Sequence, residues 1–464
     1  LASAALGVLW ASCLAAPSLA TAATPVRDYA QEPARSSPAW LRDGVVYQIF
    51  PRNFSACGDF NGVTAQLDRL QKLGVNVLWL MPINPIGQLK RKGTMGSPYA
   101  VQDYYAINPD YGSKQDLQRL VRGAHQRGMK VIVDVVINHT AWDSVLIQTP
   151  AFYTHNAKGQ IIPPDPDWSD VADLNYDNPT LRRYLIDMLS WWVRDFDLDG
   201  FRCDVALFIP TAFWEEARAA LDKVKPDIIM LAEAEQPDLL TKAFDFDYSW
   251  KLETALEAAI TGRGTAAGIA TAWSESERTN PRGALHMRFS DNHDMRRTIA
   301  RYGERGALVA SALLFTLDGV PLIYNGMEVG DTAESGWPAL FEKLPIFWQT
   351  GERRAEFPPF YAQLVAFRKA HPVLRGGSVE WLHNSDENRV LTFVRRSADE
   401  MLLIAVNLSS QPFVGVVEAA DGSYRDITPT TGTTNGATGT SMQRSSALPA
   451  LSLGAYDYRV YRRN

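Results

Sequence analysis

Lys130-Val-Ile-Val-Asp134-Val-Val-Ile-Asn138-His139 is the stretch on which the fold turns. A near-continuous apolar run of this length suits a strand covered on both faces, as in a parallel sheet, and it ends in polar side chains. The segment before it is amphipathic. Ser113 with Asp116 three residues on resembles a capping box, and Gly128 can close that helix in a left-handed cap. The same helix-then-strand unit recurs, with strands expected at 45–50, 75–81, 130–136, 198–203, 227–232, 244–248, 285–290 and 320–324. Asn178-Pro179 opens another helix, whose Leu181, Leu185, Met188 and Trp192 form one apolar stripe meant for the core. Eight strands alternating with helices predict an α/β fold, a (β/α)8 TIM barrel over residues 40–372.

Two segments interrupt the alternation. Residues 140–176, after the third strand, are rich in Pro, Asp and aromatics and too long for an ordinary connection, which predicts a small inserted domain over the barrel mouth. From 373 to 464 the pattern changes to short alternating strands at 378–382, 389–394, 401–407, 413–418 and 455–461, a C-terminal all-β sandwich with a loop at 428–445. Residues 1–23 carry no charge and contain Ser18-Leu19-Ala20 and Ala20-Thr21-Ala22, so they read as a secretory signal with a truncated start, followed by an extended lead-in over 24–39. The expectation is an exported protein, periplasmic or extracellular, with no stable membrane span after signal removal; whether it is lipid-anchored stays open.

The 464 residues hold 46% hydrophobic and 21% charged positions, enough apolar material for a large core. A net charge of −6 without a basic stripe argues against nucleic acid as a partner. Three Cys exclude a disulfide scaffold and a four-thiolate zinc site, and Cys57 and Cys203 are expected to be free. No HExxH, P-loop or nucleophile-elbow pattern occurs, and Gly262-Arg-Gly264 with Gly268 misses dinucleotide spacing, so no organic cofactor is expected.

In such a barrel the chemistry sits at the C-terminal ends of the strands. The third strand ends in Asn138-His139, the fourth in Arg202-Cys-Asp204, the fifth in Glu233 and the seventh in Asn292-His293-Asp294. Carboxylates at three strand mouths, with an Arg and two His, form a convergent acidic site. Arg202 and Asp204 are two apart on one strand and share a face.

These segments, in this order, resemble the signature regions of the α-amylase superfamily, glycoside hydrolase family 13. Gly74–Pro82, Ala172-Asp173-Leu-Asn175 and Gly319–Glu328 support the resemblance, which spans residues 40–372. It implies retaining hydrolysis of α-1,4-glucosidic bonds in starch-derived glucans or maltooligosaccharides, with two carboxyl groups about 5–5.5 Å apart. By motif position Asp204 is the nucleophile, Glu233 the acid/base and Asp294 the transition-state stabiliser. Arg202 favours ionised carboxylates beside it, and Glu233 needs burial and nearby negative charge to stay protonated. His139 and His293 are implied to hydrogen-bond sugar hydroxyls, and Tyr99 to stack under the reacting ring. Glu235 competes with Glu233 for the acid/base role; the small residue before Glu233 favours Glu233.

The resemblance also leaves alternatives. Ala100 stands where exo-acting α-glucosidases of the family carry Asp, which argues for an open cleft and internal cleavage. Val205-Ala-Leu-Phe208 replaces the Lys-His pair of many α-amylases and is more similar to neopullulanases and cyclomaltodextrinases. Transfer to a sugar acceptor and a non-catalytic carbohydrate-binding role are the remaining readings. Asn138 and Asp173 match positions that ligate calcium in many members, while some relatives dispense with the ion. Lys90-Arg91-Lys92 reads as a solvated loop, Trp142 and Trp337 as sugar platforms or packing, and oligomeric state is not fixed.

Overall fold

The computed structural model describes residues 27–333, 336–419, 422–429 and 451–463. The signal-like stretch 1–23, residues 24–26 of the lead-in, most of the 428–445 loop and the Trp337 side chain lie outside the described residues.

Eight parallel strands form the central sheet: β1 (Val46–Ile49), β2 (Val77–Leu80), β3 (Lys130–Val135), β4 (Gly200–Cys203), β5 (Ile229–Ala232), β6 (Phe246–Asp247), β7 (Met287–Arg288) and β8 (Val320–Tyr324). Each lies inside a span expected from the sequence. Strands β6 to β1 pair in sequence order, β1 returns to β8, and β8 pairs β7. A parallel bridge between Asp247 and His286 joins the two edges, so the sheet closes into a barrel. Closure leaves no exposed barrel edge.

Side-chain alternation fills the barrel. Val46, Val77, Trp79, Ile132, Ile229, Leu231, Phe246, Phe289 and Leu322 form one buried cluster inside it. Their chain neighbours Tyr47, Leu78, Val133 and Met230 point outward into the larger core beneath the helices. The helix Lys114–Gln126 begins at Ser113 with a complete capping box closed by Asp116, and Gly128 follows its end with φ +72°. The helix Pro179–Phe196 buries Leu181, Leu185, Met188 and Trp192 as its stripe requires. Each such side chain is worth about 1.5–3 kcal/mol when fully buried.

Between β3 and that helix, the chain rises into a two-stranded antiparallel hairpin, His139–Ala141 against Val171–Asp173, with short 3-10 turns between. At the C-terminus, Ser378–Trp381, Val390–Arg396, Met401–Asn407, Tyr458–Arg463 and Tyr424–Asp426 form a five-stranded antiparallel sheet in that order. A smaller sheet of Phe413–Gly415 and Leu451–Leu453 packs on it through Val390, Leu403, Phe413 and Leu453. The strands at 424–426 and 451–453 were not foreseen; each is three residues long, too short to show a period. Buried Arg395 donates to the carbonyls of Thr316 and Leu374, fastening this sheet to the barrel.

Candidate active site

The strand register builds the site. Ile132 fills the barrel, so Asp134 two residues later faces the same interior one layer higher. Asp134 sits directly opposite Arg202, and Arg202 opposite Leu231. Continuing two residues along each strand brings Asp204 and Glu233 to the mouth. Arg202 is fully buried, held over the rings of Trp79 and Tyr248, with Nε donating to Tyr248 Oη at 3.2 Å.

The guanidinium organises three carboxyl groups. Its Nη1 donates to Asp134 Oδ1 at 2.9 Å and to Asp204 Oδ1 at 2.7 Å. Its Nη2 lies 2.8 Å from Glu233 Oε1. Asp204 and Glu233 are thus bridged by the two terminal nitrogens of one planar group, a close pair that suits the retaining spacing of about 5–5.5 Å. Glu233 Oε2 also accepts the Val205 N–H at 2.7 Å. Val205 has φ +37° and ψ +47°, a left-handed conformation that is costly for a β-branched residue, by about 1–3 kcal/mol. That strained turn aims the N–H following Asp204 at the second carboxyl.

Burial pushes the Glu233 carboxyl up to about 8; Arg202 opposes this, while the charges of Asp204 and Asp294 add to it. Asp134 is raised to about 7, again by burial against the pull of Arg202. Burial raises Asp294 as well. Burial holds His293 well below the usual imidazole value, and lowers His139 too. Neutral His293 fits its contacts: Gln48 Nε2 donates to Nδ1 at 2.7 Å, and the opposite nitrogen lies 2.5 Å from Tyr99 Oη. Tyr99 Oη donates in turn to Asp134 Oδ2 at 3.0 Å. The chain Gln48–His293–Tyr99–Asp134–Arg202 therefore runs across the floor.

Tyr99, His139, Asp204, Glu233, His293 and Asp294 line one cavity of about 240 Å³. Arg202 lies beneath it. All seven residues expected to act on substrate are thus brought together. Glu235 does not line this cavity: it accepts the Lys251 N–H at 3.1 Å and lines a neighbouring groove of about 450 Å³ with Glu233, Leu207, Phe208 and Trp250. Sequence reasoning missed Asp134 as a site residue, along with Gln48 and Tyr248. Asp134 interrupts an apolar strand two residues from a barrel-filling position, and that parity was the available signal.

Asn138 and Asp173 both lie at the root of the hairpin, where His139 pairs with Asp173 and Leu174 N–H donates to the Asn138 carbonyl at 3.1 Å. Burial raises the Asp173 carboxyl, and among the described residues no Lys or Arg forms a salt bridge with it. Among the described residues no three His, Cys, Asp or Glu side chains gather as a metal-binding group. The Asp173 carboxylate, an amide and nearby carbonyls are oxygen donors of the kind calcium takes. Cys57 is exposed and Cys203 buried, both free. Among the described residues no helix is long and apolar enough to cross a membrane.

A (β/α)8 barrel with clustered carboxyls at its C-terminal rim defines a class of enzyme scaffolds whose chemistry sits in the βα loops. The family model described as the α-amylase catalytic domain matches residues 48–158 and 166–372, and the chain belongs to that family. An α-amylase from Haloarcula japonica is 29% identical over 83% of this chain; the chain spans 58% of that relative's length. A cyclomaltodextrinase from Geobacillus thermopakistaniensis is 28% identical over 81% of this chain and 70% of its own. The crystal structure of an α-amylase from Lactobacillus plantarum superposes with a TM-score of 0.80 at 32% identity, covering 92% of this chain and all of that one. A maltogenic α-amylase structure from Thermotoga neapolitana follows at TM-score 0.78 and 29% identity, covering 91% and 96%.

Proposed function

We propose that the protein is a retaining glycoside hydrolase that cleaves α-1,4-glucosidic bonds of starch-derived glucans or maltooligosaccharides. The observation that carries this reading is the single guanidinium of Arg202 set against both Asp204 and Glu233, with the Glu233 carboxyl pushed up to about 8. Such a pair supplies a nucleophile and a proton donor at neutral pH.

In the first step Asp204 attacks the anomeric carbon while Glu233 gives its proton to the departing glycosidic oxygen. The products are a glycosyl ester on Asp204 and a shortened chain with a new hydroxyl. In the second step the Glu233 carboxylate takes a proton from water, the water oxygen bonds the anomeric carbon, and Asp204 is released. Asp294, at the same cavity wall, is the group assigned to the positive charge that develops on the ring. His139 and His293 are assigned to sugar hydroxyls and Tyr99 to the ring face. Calcium, held by Asn138 and Asp173, is proposed as a structural tie between hairpin and barrel with no part in either step. Export, resting on the uncharged stretch 1–23, is proposed on composition alone.

A second reading has one observation in its favour. The groove beside Glu233 exposes Phe208 and Leu207, which are 55% and 43% accessible, as an apolar surface able to hold an acceptor sugar in place of water. Products longer than the substrate from maltotriose indicate that transfer. Reducing-sugar release from maltoheptaose tests the main reading: the protein should liberate it, and Asp204→Ala or Glu233→Gln should lower the rate by several orders of magnitude. Near-normal hydrolysis by either variant refutes the assignment.

A further inference from the structure

The chemistry above makes no use of the most basic segment near the site, Lys90-Arg91-Lys92, in the connection between β2 and Tyr99. Lys90 and Arg91 are exposed, as expected of a solvated loop, while Lys92 is half-buried and the segment is anchored on both flanks. Lys90 Nζ lies 3.6 Å from the Trp142 ring centroid in the inserted hairpin region. Gln88 N–H donates to Asp143 Oδ2 at 2.9 Å. Lys92 Nζ pairs with Asp170 Oδ1 at 3.0 Å and donates to the Asp167 carbonyl at 2.9 Å. Asp170 is 7% accessible, so this pair is largely withdrawn from solvent.

The same loop is fastened on its other flank to the segment after β8. Met95 N–H donates to the Phe341 carbonyl at 2.9 Å, and Thr94 N–H to Glu342 Oε1 at 3.0 Å. Arg52 Nη1 donates to the carbonyls of Gly96 and Leu340 at 3.1 and 2.9 Å, holding both segments with one nitrogen. Gly93, with φ +63°, lies so close that an added Cβ would come within 2.4 Å of Phe341 Cβ. Three separate stretches of chain are therefore sewn together. Their inner faces, Lys92, Asp170, Leu340 and Phe341, line the reaction cavity and not the groove beside it.

The two ends of the site differ in consequence. Glu233 lines both cavity and groove, and an acid that protonates the departing oxygen stands on the leaving-group side. The groove is thus the exit for the leaving chain, and the sewn end faces the glycosyl part. The cavity of about 240 Å³ has room for one or two sugar rings between Glu233 and these residues.

We propose that the loop carrying Lys92, tied to Asp170 and Phe341, is an end wall that makes this protein act from the non-reducing end of α-glucans, releasing glucose or maltose units. This rests on the hydrolase reading above. It runs against the expectation drawn from Ala100: the residue beside Tyr99 does not close the pocket, but loops farther out do.

The test uses two maltoheptaosides with a chromogenic group at the reducing end, one free and one blocked by an ethylidene group at the non-reducing end. The whole protein should cleave the blocked substrate at least about tenfold more slowly, since even one extra methylene in a fitted pocket costs that much. Lys92→Ala combined with Thr94→Ala should raise the blocked-to-free ratio. Equal initial rates on the two substrates overturn the wall. If neither is cleaved, the hydrolase reading fails, and titration calorimetry of the same pair still decides: equal affinities overturn the wall, and weaker binding of the blocked sugar supports it.

Discussion

Arg202 Nη2 lies 2.8 Å from Glu233 Oε1, yet this contact is an ion pair whose angle does not make a hydrogen bond. The aligned bonds of the guanidinium go from Nη1 to Asp134 and Asp204. One cation therefore treats its neighbours differently. Asp204 receives a directional, charge-assisted bond, whereas Glu233 receives attraction that its burial outweighs. The division of labour between nucleophile and acid follows from that asymmetry.

The pH profile should carry its signature. Glu233 donates its proton below about 8 and has lost it above, so kcat/KM on maltooligosaccharides should fall on a basic limb near pH 8. Asp134, at about 7, titrates close by, so the limb should be measured in Asp134→Asn as well. A limb that persists there belongs to Glu233. A profile that stays flat to pH 10 contradicts the assignment.

Stability should also fall as pH rises, beginning at a lower pH than activity. A carboxyl raised in the fold binds its proton more tightly folded than unfolded, so its burial is tolerated below the ordinary glutamate value of 4.5 and becomes destabilising as pH rises toward about 8. Glu233→Gln removes that charge. Its Tm should exceed that of the parent by more at pH 9 than at pH 5; an equal difference at both pH values would count against the buried acid.

Asp134 touches Arg202 and Tyr99 but does not line the cavity, so it acts by positioning. Asp134→Asn weakens the hold on both. The expected result is a fall in kcat of about a hundredfold with KM changed little, the scale of a small misplacement of reacting groups. Unchanged kcat would show that Arg202 is held adequately by Asp204, Trp79 and Tyr248 alone.

If calcium ties Asn138 and Asp173, chelation should lower Tm, and added calcium should restore it through preferential binding to the folded state. Asp173→Asn should abolish the calcium response. Identical melting with and without chelator contradicts the tie.

The sequence and the structure agree most closely where a single element carries its own signal. The run from Lys130 to Val135, the box of Ser113 and Asp116, and the stripe of Leu181, Leu185, Met188 and Trp192 are each legible alone. Asp204, Glu233 and Asp294 were legible because polar residues ending apolar strands converge in a barrel. Asp134 was not, since its meaning depends on the register that sets it opposite Arg202 across β3 and β4. Lys92 was hidden for the same reason: its partners Asp170 and Asp167 are more than seventy residues away, and a charge run carries no record of what it docks against.

The most direct measurement of the central claim is mass spectrometry of Glu233→Gln treated with α-maltosyl fluoride. Fluoride leaves without help from an acid, so the first step proceeds, while the second stalls for lack of a base. A maltosyl ester should accumulate on the peptide containing Asp204. An adduct on another residue, or steady turnover with none on Asp204, would contradict the account.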